Sequence, residues 1–329
     1  MSKVNSTRRG TRPTIASTRP TSALFGNARS DEILRRLDLK INRRLDGLLQ
    51  GDYQGLVPGH GSEPGETRAY QSGDDVRRID WNVTARMQST HIRETIADRE
   101  LETWALIDMS ASLEFGTADC EKRDLAIAAV AAIGMLTQRT GNRFGVVIAD
   151  STGLEVIRAR PGRAHLLTTL YGLIDRSRSE QGSGPVDIAA AIGRLGTPGH
   201  RRGLAVVVSD FLSPGDWGPA LRIVGSRHET LAVQVVDPRE LELPPVGLIN
   251  MVDPETGRRR QVQTSSSRLR TQFAEAARDQ QARIAAEIRR AGADHLLLRT
   301  DRDWLVDIAR FATLRRQRAG ALTRVARPS

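Results

Sequence analysis

The stretch TWALIDMSAS, residues 103–112, ends a short apolar run on one carboxylate and two hydroxyls at alternate positions, Asp108, Ser110 and Ser112. Side chains two residues apart lie on one side of an extended chain, so three oxygen donors leave the strand together. A hard divalent cation such as Mg²⁺ takes donors of this kind and keeps some of its water. Farther along, GLAVVVSD closes a second apolar run on Asp210, which can join the group from a neighbouring strand tip. Three roles are open for the motif: holding a metal, capping the next helix, or forming a site that has lost its metal.

Other chemistries find little footing. No Walker A sequence occurs, and GSGPVD after Gln181 lacks the third glycine and the position of a dinucleotide fingerprint. No Gly-x-Ser-x-Gly elbow is present, and GHGSEPG reads as a loop. The six histidines are scattered without metal-ligand spacing, and His60 and His91 read as loop and surface residues. The single cysteine, Cys120, excludes an internal disulfide and Cys-rich zinc sites, and reads as a small buried residue inside a helix. A metal-dependent hydrolase would need an activated water and a general base near Asp108. Neither a histidine nor a second carboxylate is placed in sequence to supply one.

A chain of 329 residues, 39% hydrophobic and 27% charged, has the composition of a globular protein. It has neither an apolar run of membrane-spanning length nor an apolar segment behind the basic N-terminus, so a cytoplasmic location is expected. The net charge of +10 is unevenly spread. Residues 1–30 and 310–329 each contain six basic residues and no acid, leaving −2 for residues 31–309. Basic ends suit nucleic acid, anionic lipid or an acidic partner, or serve only as solvated tails.

The elements that must position the motif follow from periodicity. Residues 1–29, rich in Ser, Thr, Arg, Gly and Pro, read as a disordered basic tail. Ile33, Leu34, Leu37, Ile41, Leu45 and Leu48 recur at helical spacing and predict an amphipathic helix over 31–49. Residues 51–82 read mostly as loop, followed by two extended segments. From 103 onward short apolar runs alternate with helical patterns. Strands are expected near 103–109, in RFGVVIAD, GLEVIRA, GLAVVVSD and ETLAVQVVD, and in ADHLLLRT; GLINMVDPETGRRRQVQT reads as a hairpin. Helices are expected near 119–139 (with Asp119 as cap), 162–175, 186–195, 216–226, 266–291 and 303–318. Alternation of this kind implies an α/β fold with a mainly parallel sheet covered on both faces. Sites in such sheets lie beyond the carboxyl ends of the strands, where Asp108 and Asp210 fall.

LIDMSAS in this setting resembles the von Willebrand factor A fold with its metal-ion-dependent adhesion site. The preceding GETRAYQSGDDVRRIDWNVTARMQSTHIRE is similar, more specifically, to a MoxR-associated family of unknown function built on that fold. The resemblance runs from about residue 47 to 212 and divides the chain into a basic tail (1–29), an N-terminal helix and family-specific extension (30–100), a von Willebrand A-like domain (101–318) and a basic C-terminal tail (319–329). It implies a metal site of Asp108, Ser110, Ser112 and Asp210, completed by a threonine ahead of a helix. The matching stretch, GSGPVDIAAAI, has Val186 in that place, and a valine cannot ligate; Ser183 and Asp187 carry oxygen but lie off the spacing. The resemblance therefore implies Mg²⁺ binding that is weak or absent.

Members of that family resemble accessory proteins of MoxR-type AAA+ ATPases. The resemblance implies a non-enzymatic adaptor that contacts the ATPase and a client protein through the strand-tip face, where substitutions should disturb binding more than folding. Asp74, Asp75, Arg77, Arg78, Asp80 and Arg86, with Trp81 as an apolar anchor among them, form either a salt-bridged brace or a docking face. A nucleic-acid-associated protein using the Arg-rich ends is the rival reading, although aromatic residues are only 4% and do not interleave with the arginines. The metal-dependent hydrolase is the other.

Overall fold

The computed structural model describes residues 14–15, 28–49, 67–70, 79, 81–87, 89–93, 101–139, 141–176, 186–197, 202–213, 215–253 and 257–325. In chain order the elements are β1 (Thr14–Ile15), α1 (Ser30–Leu49), β2 (Thr67–Ala69), α2 (Trp81–Met87), β3 (His91–Arg93), β4 (Glu102–Asp108), a 3₁₀ turn (Ala111–Glu114), α3 (Lys122–Arg139), β5 (Arg143–Asp150), β6 (Gly153–Arg160), α4 (Arg163–Asp175), α5 (Ile188–Leu195) and β7 (Gly203–Ser209). There follow α6 (Gly218–Gly225), β8 (Glu229–Val236), α7 (Pro238–Leu241), β9 (Leu248–Val252), β10 (Arg259–Gln263), α8 (Ser267–Arg290), β11 (Asp294–Arg299) and α9 (Trp304–Val325).

Six strands form the central sheet in the order β11-β8-β7-β4-β5-β6. All neighbours are parallel except β6, which runs antiparallel to β5 at the edge. The four central strands are Val-, Ile- and Leu-rich because both faces are covered, so each alternate residue serves a different core. Ala105, Ile107, Val146, Ile148, Val206, Val208, Val233 and Val235 meet α1, α3, α4 and α9 on one side. Trp104, Leu106, Val147, Ala149, Ala205, Val207 and Ala232 meet α5, α6 and α8 on the other. This is the α/β architecture, a mainly parallel sheet covered by helices on both faces, that the sequence implies. The strand order reverses between β4 and β7, and a crevice opens at such a switch point beyond the carboxyl ends. Asp108 ends β4, and Asp210 directly follows β7.

Several boundaries differ from expectation. Helix α3 starts at Lys122, not near 119, and Asp119 is not its cap: the Asp119 amide donates to the Thr300 carbonyl, tying the preceding loop to the end of β11. The last helix runs on to Val325, so residues expected in a C-terminal tail are helical. Thr14–Ile15, inside the expected disordered tail, pairs antiparallel with Met251–Val252 of the β9–β10 hairpin. Helix α1 is not a free arm. Its Ile33, Leu37 and Ile41 are buried in the same core as α3, α4 and α9. Polar ties reinforce the contact: Arg163 to Asp38 at 2.6 Å, Arg44 to Asp303 at 2.6 Å, and Ser30 Oγ to Asp175 at 3.0 Å.

Candidate functional site

The residues singled out at the strand tips do converge. The Ser110 amide donates to Asp108 Oδ1 at 2.9 Å, and the Ser110 and Ser112 hydroxyls lie 3.0 Å apart. Ser112 Oγ donates to Asp210 Oδ2 at 2.7 Å, which joins the tip of β4 to that of β7. The alternate spacing brings this about, since chain leaving β4 turns into the 3₁₀ segment and carries both serines towards β7.

Three participants were not visible as such in the sequence. Ser209 Oγ donates to Asp108 Oδ2 at 2.6 Å and accepts from the Phe211 amide at 2.9 Å. Lys122, the first residue of α3, donates to Asp210 Oδ2 at 2.8 Å and to Glu240 Oε1 at 2.5 Å. Glu240 is fixed in turn by a capping box, its other oxygen accepting from the Asp237 amide at 3.0 Å. The Leu212 amide donates to the remaining oxygen of Asp210 at 3.0 Å. To close the loop, Phe211 adopts φ +57°, a costly conformation for a bulky residue. Its ring is held against Trp217, with centroids 4.8 Å apart.

The site is closed to solvent. Relative exposure is 0% for Asp108, 1% for Ser110, 7% for Ser112, 1% for Asp210 and 0% for Lys122. The expectation that these side chains stand outside the core, as a contact face, is therefore corrected: the loops cover them. Burial and the nearby Asp210 charge push the Asp108 carboxyl up to about 6, against the hydrogen bonds from Ser209 and Ser110. Burial also tends to lower the Lys122 ammonium, but Asp210 and Glu240 outweigh it and raise its pKa. The Glu240 carboxyl is raised by burial despite its bond to Lys122.

The remaining candidates separate clearly. Val186 is 3% exposed and packs in the apolar cluster under α5. Asp187 accepts from the Ala190 amide at 2.9 Å as the N-cap of α5, which occupies it structurally; Ser183 lies outside the described residues. Among the described residues no group of three or more His, Cys, Asp or Glu side chains is arranged to hold a metal ion. Trp81 is 71% exposed at the start of α2, and Arg86, in the same helix, is also exposed. Asp74, Asp75, Arg77, Arg78, Asp80 and His60 lie outside the described residues. His91 bonds the Ser89 carbonyl through Nδ1 at 2.7 Å. The Cys120 thiol is buried against the Thr300 carbonyl, and burial with nearby Asp124 pushes it up to about 12, which leaves it unreactive.

Beside Asp108 a second polar hub ties the same edge of the sheet. Asp237, after β8, accepts from the Thr117 amide at 2.8 Å, the Thr117 hydroxyl at 2.6 Å, the Thr300 hydroxyl at 2.8 Å and the Arg239 amide at 2.9 Å. The loops after β4, β7, β8 and β11 are thus pinned to one another by buried carboxylates. Exposed residues on them include Asp216 and Arg239.

The chain is similar to several known proteins. Uncharacterized protein Rv1480 of Mycobacterium tuberculosis is 50% identical over 303 residues, covering 91% of this chain and 95% of that protein. Uncharacterized protein MAV169 of Mycobacterium avium is 44% identical over 163 residues, 50% of this chain and 95% of that protein. Among solved structures, the conserved hypothetical protein BatB from Bacteroides thetaiotaomicron is 16% identical with a TM-score of 0.42, over 66% of this chain and 99% of that one. A von Willebrand factor type A protein from Catenulispora acidiphila is 14% identical with a TM-score of 0.36, over 66% of this chain and 42% of that one. Among the described residues no helix is long and apolar enough to cross a membrane. Residues 66–283, from β2 to the middle of α8, match the model of the Protein of unknown function DUF58, and with that match and the mycobacterial relatives the chain belongs to the DUF58 family.

Proposed function

We propose that this chain is a non-enzymatic, cytoplasmic accessory protein that binds a MoxR-type AAA+ ATPase and a client protein through the strand-tip edge of its von Willebrand A-like domain. The observation that supports the reading is the closed polar cluster. Asp108, Ser110, Ser112, Ser209 and Asp210 are all engaged in hydrogen bonds to one another or to the loops. Side chains so engaged are closed off from solvent, and they fix four loops in one conformation. Pre-organised loops favour recognition, since little ordering remains to be done on binding. Partner contact then falls to the rim, including Asp216 and Arg239, and the buried cluster acts as its frame.

The full-length chain as bait, expressed in its own organism, tests this. A MoxR-type AAA+ ATPase should be recovered and identified by mass spectrometry. Arg239→Glu and Asp216→Arg should reduce recovery at least about tenfold, the order expected when interface charges are reversed, with melting unchanged. Recovery of no AAA+ ATPase, or of equal amounts with both rim variants, rejects the reading.

A further inference from the structure

We infer that the Lys122 ammonium is the built-in cation of the strand-tip site, and that the site works without a divalent metal. The inference is independent of which partner is bound. It starts from the donor set, which does not fit an ion. Each carboxylate oxygen already accepts at least one hydrogen bond from the protein, and the positive charge against Asp210 is an ammonium of the chain itself. Asp108 accepts from the Ser110 amide and the Ser209 hydroxyl, one on each oxygen. Asp210 accepts from the Leu212 amide on one oxygen and from both Ser112 Oγ and Lys122 Nζ on the other. The Ser112 hydroxyl donates to Asp210 Oδ2, the same oxygen that Lys122 Nζ holds. The residue in the threonine position, Val186, is part of the apolar core.

Charge gives the same answer. Asp210 at the tip of β7 and Glu240 on α7 need a counter-charge where they are buried together, because an unpaired buried ion is very costly. Lys122 supplies it within 2.8 Å of Asp210 and 2.5 Å of Glu240, with none of its own side chain exposed. A lysine carried into the interior on the first turn of a helix has no stability of its own to offer there; only the two carboxylates account for it. The geometry also bars the usual use of such a site. An ammonium covered by loops cannot take a carboxylate from a partner, so recognition at this edge proceeds without a bridging ion.

Two measurements on the full-length chain test the inference. The first is titration with Mn²⁺, followed by calorimetry and by the free-ion electron paramagnetic resonance signal, with melting measured in EDTA and in excess Mn²⁺. No saturable binding is expected up to about 1 mM, and melting should move by no more than about 1 °C, since a ligand that does not bind the native state cannot shift it. Stoichiometric micromolar binding, or a lower melting temperature in EDTA, overturns the inference. The second compares Asp210→Asn in two backgrounds. Alone it should lower the melting temperature by leaving Lys122 less compensated; in Lys122→Met it should raise it by removing an uncompensated charge. If Lys122→Met alone does not fold, the double variant should fold. A drop in both backgrounds, or a double variant that stays unfolded, shows that Lys122 is not the counter-charge. Partner capture that is insensitive to EDTA belongs to this inference, whereas loss of all capture bears only on the accessory role.

Discussion

At the scale of single residues, Asp108 has the most to reveal. A carboxyl raised above its unfolded value binds its proton more tightly in the native state. Its stabilising contribution is therefore complete below about pH 4 and lost as pH rises through about 6. The span from 3.8 to about 6 corresponds to on the order of 3 kcal/mol between the two plateaus. Asp108→Asn cannot ionise, so urea denaturation at pH 4, 5, 6 and 7 should show a flatter profile for the variant than for the native chain. Parallel profiles would assign the titration elsewhere. Asp108→Ala, by contrast, strands the Ser110 amide and the Ser209 hydroxyl and should cost about 2–4 kcal/mol at neutral pH. That reverses the expectation of near-neutral stability, which assumed an exposed strand end. Val186→Thr places a hydroxyl in the apolar cluster and should cost about 1–3 kcal/mol without conferring Mn²⁺ binding, checked by calorimetry and melting. Asp108, Ser110, Ser112 and Asp210 were legible because period-two spacing and strand ends declare themselves in a linear sequence. Lys122 was not, because EKRD at the start of a helix looks like a solvated first turn. The signal was farther on: LAIAAVAAIGML is apolar on every face, and a helix covered all round buries its charges too.

Among the elements, α1 shows how a pattern can be read correctly while its partner stays hidden. The spacing of Ile33, Leu37 and Ile41 announces an apolar stripe, but periodicity says nothing about what covers it. The structure lays that stripe on α3, α4 and α9, with Lys40 standing 5.7 Å over the Trp304 ring. The helix is thus part of the domain's core and closes one layer of it. Ile41→Ala should destabilise the whole domain by about 2–4 kcal/mol in a single cooperative transition. A separate early transition for α1, seen by hydrogen exchange, would contradict its place in the core. Helix ends were less legible than helix bodies, since tertiary bonds decide them. The Asp119 amide is claimed by Thr300, which delays the start of α3, and the Arg315 side chain helps to extend α9 by pairing with Glu229 and Asp294. One close approach in the sheet escaped notice for a similar reason. At Gly203 an added Cβ would lie 1.9 Å from the Glu102 carbonyl oxygen, so the start of the β4–β7 pairing, at the end of the strands opposite the site, needs glycine there.

For the whole molecule the decisive property is where the charge sits. The excess of +10 comes from the two ends, while the stretch between them is slightly acidic. The C-terminal share is not a free tail, because α9 holds it as far as Val325 and Arg315 is already paired at 2.6 and 2.8 Å. Contact with nucleic acid through the ends would rest on phosphate neutralisation alone, without the aromatic stacking that holds single strands. Such binding releases counterions and loses roughly 10³–10⁵ in affinity between about 50 and 200 mM salt when six to ten phosphates are engaged. A rim recognised by fitted loops has no comparable dependence, since only its exposed charges are screened. Full-length protein and a variant lacking residues 1–27 should therefore be compared for duplex DNA retention and ATPase capture at both salt concentrations. The accessory reading expects capture to survive about 200 mM salt and the deletion, with DNA retention lost under either. Retention of DNA at the higher salt, with capture abolished by the deletion, would transfer the function from the sheet edge to the basic ends.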